Sequence, residues 1–266
     1  MASGTDAGQP STDLLESVIE CCRAQSLLAW ADEETTVHAL TAAAIAATNS
    51  PGALGRAAVL AGGRLNAIST DDPAVFRREA IHFERLFGLL CRDRGPEDEL
   101  VLGFASNLAA GYRALGRVAE AVALDEETLR VEERVLGPEH PDTLSSRNNL
   151  AVGYGALGRA AEAVALDEET LRVMERVLGP EHPHTLTSRN NLACGYSDLG
   201  RVAEAVALWE ETLRVRERVL GAEHPDTLTS RNNLAGGYRA VGREEEAGRL
   251  ESGGANPRDR AADQSP

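Results

Sequence analysis

Apolar and polar positions along this chain return with the 3.6-residue period of an α-helix, and no stretch shows the two-residue alternation of a half-buried strand. Residues 160–178 show it most clearly: Ala163, Leu166, Thr170, Leu171, Met174, Val177 and Leu178 form one apolar stripe among glutamates and arginines. Ahead of it, Leu150, Ala151, Tyr154 and Leu157 mark a shorter stripe. Pro141 and Gly158 bound that first helix, because proline at the first helical position forfeits no hydrogen bond and glycine adopts the left-handed conformation that closes a helix. Gly179-Pro180 closes the second. The pattern predicts a helix hairpin over residues 141–182.

The hairpin recurs every 42 residues, with His140, His182 and His224 in register and likewise Gly116-Arg117, Gly158-Arg159 and Gly200-Arg201. Segments 141–182 and 183–224 differ at nine positions. A looser copy runs from Asp98 to Glu139, and a fourth begins at Pro225 and stops half-way. A fixed period of this length marks a solenoid. Upstream, helices are expected at Leu14–Trp30, Thr35–Ala47, Ala53–Ile68 and Pro73–Cys91. The last is apolar at Val75, Phe83, Leu86, Phe87 and Leu90, and it meets Gly95-Pro96. The organisation expected is a disordered start (1–12), a helical region (13–94), a solenoid of about 3.5 repeats (95–251) and a disordered tail (252–266). Within the helical region, Asp13–Asn49 reads as a cap or partner surface and Pro51–Arg94 as a degenerate repeat.

The run Asn148-Asn149-Leu150-Ala151-x-x-Tyr154, then Gly158-Arg159 and Glu162-Ala163, resembles the tetratricopeptide motif. The 42-residue period and the connector Leu178-Gly179-Pro180-Glu181-His182-Pro183 resemble the kinesin light chain variety, which is widespread in bacterial proteins. The resemblance covers Asp98 to Ala247. It implies an all-α, right-handed α-solenoid of tetratricopeptide-type hairpins behind a degenerate N-terminal helical region. It also implies that a partner protein or peptide lies in the concave groove. Two features depart from the motif. Asp125 and Asp167 stand where the family packs an apolar or aromatic residue, which Trp209 restores in the third copy. Gly153, Gly195 and Gly237 lie inside helices, each at a cost of roughly 1 kcal/mol against alanine unless close backbone approach requires it.

At 100° per residue, Leu150, Ala151, Tyr154 and Leu157 share one side of the first helix, while Ser145, Asn148, Val152, Gly155 and Ala156 share the other. The second side is the expected groove lining. Its counterparts include Ser106 and Arg113 in the first copy, Asn190, Cys194, Ser197 and Asp198 in the third, and Asn232 and Arg239 in the fourth. Four of the nine differences between copies two and three fall on these five positions, where even scatter puts about one. Asn148, Asn190 and Asn232 form a ladder of amides suited to pairing with peptide backbone, flanked by Asn107, Asn149, Asn191 and Asn233. Arg147, Arg189 and Arg231 project on the side of Leu150 and are expected to pair with glutamates of neighbouring helices. Arg113 and Arg239, on the groove side, suit an acidic ligand.

Composition narrows the chemistry. The formal net charge of −15 argues against nucleic acid and anionic membrane as partners. All basic residues are arginine, so neither a phosphate-loop lysine nor a Schiff-base amine is present. Cys21, Cys22, Cys91 and Cys194 have neither disulfide-framework nor zinc-site spacing. The longest apolar run, Ala39–Ala47, is too short to span a bilayer, and Met1–Asp13 lacks the features of a secretion signal. A cytoplasmic protein is expected, with no catalytic residues, metal or cofactor. The repeated histidines are accounted for by helix starts. The expected function is a scaffold or adaptor for a protein or peptide partner. The alternative is a self-assembling module that forms a homo-oligomer, or a regulatory subunit docking through its N-terminal helices.

Overall fold

A computed structural model describes residues 73–252. The expected helices before Pro73, the cap, the disordered start and all but the first residue of the tail lie outside the described residues. Nine helices are present among those described: α1 (Pro73–Arg94), α2 (Glu99–Ala114), α3 (Val118–Val135), α4 (Pro141–Ala156), α5 (Ala160–Val177), α6 (Pro183–Asp198), α7 (Val202–Leu220), α8 (Pro225–Ala240) and α9 (Glu244–Glu251). No strand occurs among the described residues. They fall into two compact units, 73–124 and 125–252, divided within α3.

In the first unit α1 packs on α2 around Phe83, Leu86, Leu90, Val101, Phe104 and Leu108, with Phe87 stacked on Phe104 at 6.3 Å between centroids. In the second unit each helix from α4 on packs on the next, and the first helices of successive copies also touch, α4 on α6 and α6 on α8. The core there is built from Ala205, Val206, Trp209, Leu213, Leu234, Ala235, Tyr238, Ala247 and Leu250.

The helix ends follow the local sequence. His140, His182 and His224 cap α4, α6 and α8, each accepting a hydrogen bond at Nδ1 from the amide two residues on. Proline follows each cap at the first helical position. Asp98 does the same service for α2 through its carboxylate. Gly158 closes α4 at φ 76°, letting Arg159 N–H reach back to Tyr154 C=O at 2.9 Å. Gly179 closes the connector at φ 94°, and both classes of turn recur in every copy.

A four-residue clamp repeats with the same period. The hydroxyls of Tyr112, Tyr154, Tyr196 and Tyr238 donate to Glu84, Glu126, Glu168 and Glu210, each 28 residues earlier, at 2.8–3.0 Å. Arg117, Arg159, Arg201 and Arg243 lie over the corresponding rings at 3.9–4.2 Å. Each arginine is held in turn by the glutamate three residues on, Glu120, Glu162, Glu204 or Glu246. Glu84 on α1 serves Tyr112 as Glu126, Glu168 and Glu210 on the second helices serve the tyrosines that follow them. Tyr196→Phe removes one hydrogen bond to a half-buried carboxylate. It is expected to lower stability by about 1–2 kcal/mol in urea titration, with the fold kept.

Candidate functional site

The exposed face of the second unit follows from which side of each first helix its neighbours leave open. On α4, Val152 is 46% exposed and Ala156 is open, with Ser145 and Gly155 half-buried. On α6, Thr187 and Asp198 are exposed while Cys194 and Ser197 are half-buried. On α8, Thr229, Asn232, Gly236, Arg239 and Ala240 are exposed. These positions form a strip along the first helices. In the first unit, Ser106, Asn107 and Arg113 of α2 are half-buried, and the Ser106 hydroxyl donates to Leu102 C=O.

The amide ladder is placed differently from its expectation. Asn148 and Asn190 retain only 8% and 7% of their surface. The Asn148 side-chain oxygen accepts from the Ser188 hydroxyl at 3.0 Å, and its nitrogen faces Met174 Sδ at 3.8 Å. The Asn190 oxygen accepts from Asn233 at 3.1 Å. A helical wheel sees one helix at a time, whereas these amides are covered by the next repeat. Asn232, by contrast, is exposed, while the flanking Asn149, Asn191 and Asn233 are half-buried.

Two further expectations change. Arg239 is occupied, donating to Glu251 with Glu244 at 3.9 Å, because α9 brings an acidic surface against the end of α8. Leu157, expected on the packing side, is 41% exposed, and Leu199 and Val241 in register are exposed to 40% and 41%. All three follow the last helical residue, so the wheel no longer applies to them. The arginines behave as their side of the helix dictates: Arg147 meets Glu133 and Glu169, Arg189 meets Glu175 and Glu211, and Arg231 meets Glu217.

Cys194 is held as a thiol. Burial raises its pKa, and the nearby charges of Asp198 and Asp167 add to the effect, so it is a poor nucleophile at neutral pH. Among the described residues no group of three or more His, Cys, Asp or Glu is placed to hold a metal ion, and no helix is long and apolar enough to cross a membrane.

Of the nine differences between copies two and three, Asp167/Trp209 and Met174/Arg216 are buried, and the other seven are exposed or half-buried. Four lie on the strip. The clamp of tyrosine, arginine and two glutamates escaped the sequence reading; its sign there is Tyr, then Gly-Arg-x-x-Glu after it, with Glu 28 residues before.

The tetratricopeptide repeat profile matches residues 101–175 and 148–202, and a second tetratricopeptide repeat profile matches residues 185–226. Comparison with curated proteins finds no match. Among solved structures, a kinesin light chain-like protein of Podospora anserina with nearly identical TPR-like repeats is 31% identical. The match covers 72% of this chain and 89% of that one, with a TM-score of 0.61. A second crystal structure of that protein gives a TM-score of 0.59, again at 31% identity, over 72% of this chain and 90% of that one. BtubC (BKLC) from P. vanneervenii is 21% identical over 96% of this chain and 94% of that one, with a TM-score of 0.66, a likeness of fold.

Proposed function

Because the chain belongs to the tetratricopeptide repeat family, with α-solenoid repeats of the kinesin light chain-like kind, we propose that it is an interaction scaffold whose first-helix strip selects a protein partner. Repeats of this family generally mediate protein–protein interaction, and scaffolds of this type are typically non-enzymatic. One observation carries the reading. Two neighbouring copies are held nearly identical, yet four of their nine differences are concentrated at 145/187, 152/194, 155/197 and 156/198, on the strip. Changes at these positions alter what a partner meets while leaving the buried framework in place.

The strip offers an apolar patch at Val152, hydroxyls at Ser145, Thr187, Ser197 and Thr229, a carboxylate at Asp198 and an open carboxamide at Asn232. That mixture suits a peptide segment read by a few side chains and held by polar contacts to its backbone. Asn148 and Asn190 shape the floor beneath it.

Peptides selected from a random display library on the immobilised full chain are expected to lose at least ten-fold in affinity on a Val152→Arg/Asp198→Arg variant. The variant's helical melting curve should match that of the parent, since both side chains are exposed. Peptides that bind both proteins equally well overturn the strip as the partner site.

A further inference from the structure

Two positions of α8 keep the repeat in sequence and break it in burial. Leu144 and Leu186 are fully enclosed, at 0% exposure, whereas their counterpart Leu228 leaves 38% of its surface open. Asn148 and Asn190 are buried and hydrogen-bonded to the following repeat, whereas Asn232 is exposed and its carboxamide has no partner among the described residues. The cause lies in what covers the earlier copies. Asn148 is closed over by Met174, on the C-terminal half of its own second helix, and by Ser188 of the next first helix. Asn190 is closed over by Asn233 of the next first helix. After α8 the second helix is α9, which ends at Glu251. Residues 255, 257 and 262 are Ala, Pro and Ala where the third copy has Leu213, Val215 and Leu220.

The structure also shows what chemistry fits such an edge. Each covering helix carries Ser-x-x-Asn-Leu: Ser188, Asn191 and Leu192 on α6, and Ser230, Asn233 and Leu234 on α8. The serine or second asparagine supplies the donor to the amide beneath, and the leucine is buried beside it. We propose that the Leu228–Asn232 edge of α8 docks an amphipathic helix of a partner protein, one presenting a serine or asparagine donor and a leucine within one turn, in the place the next first helix would take.

Other occupants fit less well. Residues 253–266 contain no leucine, isoleucine, valine, methionine or aromatic residue, so they offer no side chain of leucine's size for the apolar contact. The helices bearing the motif, α4, α6 and α8, have their serines buried within their own array, so a second copy offers no spare one among the described residues. The edge is distinct from the Val152–Asp198 part of the strip, and Val152→Arg is the control that tells the two surfaces apart.

The probe is a fluorescein-labelled peptide with the sequence of residues 183–198, titrated with the full chain and followed by anisotropy. Saturable binding is expected, weakened at least ten-fold by Leu228→Asp and about three- to ten-fold by Asn232→Ala, with Val152→Arg without effect. Circular dichroism melts of each variant separate loss of the site from loss of the fold; Asn232→Ala, at an exposed position, keeps the test alive if Leu228→Asp unfolds. Absent binding, or binding indifferent to both substitutions, overturns the proposal. So does binding that appears only once residues 253–266 are removed, which makes the tail the occupant. Sedimentation showing a dimer that Leu228→Asp dissolves assigns the edge to a second copy and likewise overturns it.

Discussion

Asp167→Trp is expected to stabilise the protein, by about 2–4 kcal/mol at pH 8 and much less at pH 5. Asp167 is 3% exposed on α5, and one of its carboxylate oxygens has no hydrogen-bond partner. Burial pushes its pKa up to about 7. The folded chain therefore holds a proton there that the unfolded chain releases in the ordinary carboxylate range. Between pH 4 and pH 7 the native state binds more protons than the unfolded state, so stability falls as pH rises through that window and the loss is complete above it. The loss is about 4 kcal/mol at most for this group. Glu132 on α3 adds a second contribution of the same sign: burial raises it to about 7 against the opposing hydrogen bond from Ser146.

The third copy shows that the site accepts an indole. Trp209 occupies the same register on α7, 4% exposed, against Gly237 and Val206, whose counterparts here are Gly195 and Val164. Cys194 stands where the fourth copy has Gly236, and a Cβ built at Gly236 meets nothing within 4 Å, so a side chain at this position starts clear of the ring. Thermal melts at pH 5 and pH 8 check the prediction. The parent should melt lower at pH 8, and Asp167→Trp should narrow the gap, leaving the part due to Glu132. Asp167→Asn separates the two contributions, since it removes the charge without filling the space. A variant that melts no higher than the parent at pH 8 means that the Asp167 carboxylate is satisfied in solution.

What sequence reveals here depends on how far a residue's fate is decided by its own helix. Helix boundaries, the 42-residue period and the pairing of Arg147, Arg189 and Arg231 with glutamates were legible because capping residues, glycine turns and the helical wheel act locally. The histidine caps follow for the same reason. The fate of Asn148 and Asn190 did not follow, because it is decided by Ser188 and Asn233, 40 and 43 residues away. Leu157 escaped because it sits one residue beyond the helix that the wheel describes. Glu84, Tyr112, Arg117 and Glu120 form a clamp that spans three helices, and only its arginine–glutamate step is local. Asp125 and Asp167 were visible as departures from the motif, but their burial had to come from the structure.

Gly236→Ala and Gly237→Ala, adjacent on α8, are expected to move stability in opposite directions. Alanine is favoured over glycine in a helix interior by roughly 1 kcal/mol, and this gain applies to both. At Gly236 nothing lies within 4 Å of the added Cβ, so the gain should appear in full. At Gly237 the Cβ meets Trp209 Cζ3 at 2.8 Å, with Trp209 Cε3 and Val206 Cγ2 at 3.0 Å. Trp209 and Val206 are both buried and have little room to yield, so overpacking at the upper end of its usual range, about 3 kcal/mol, outweighs the helical gain. The net expectation is a loss of about 2 kcal/mol for Gly237→Ala, read from urea titrations. Combining it with Trp209→Leu tests the cause: the double variant should lose less than the sum of the two single losses, because the smaller side chain removes the contact that penalises the alanine. Strict additivity would place the cost of Gly237→Ala in the backbone of α8 rather than against the ring. A sub-additive loss makes the glycine and the tryptophan one unit, and explains why a residue unfavourable in a helix stands where the ring leaves no room for a Cβ.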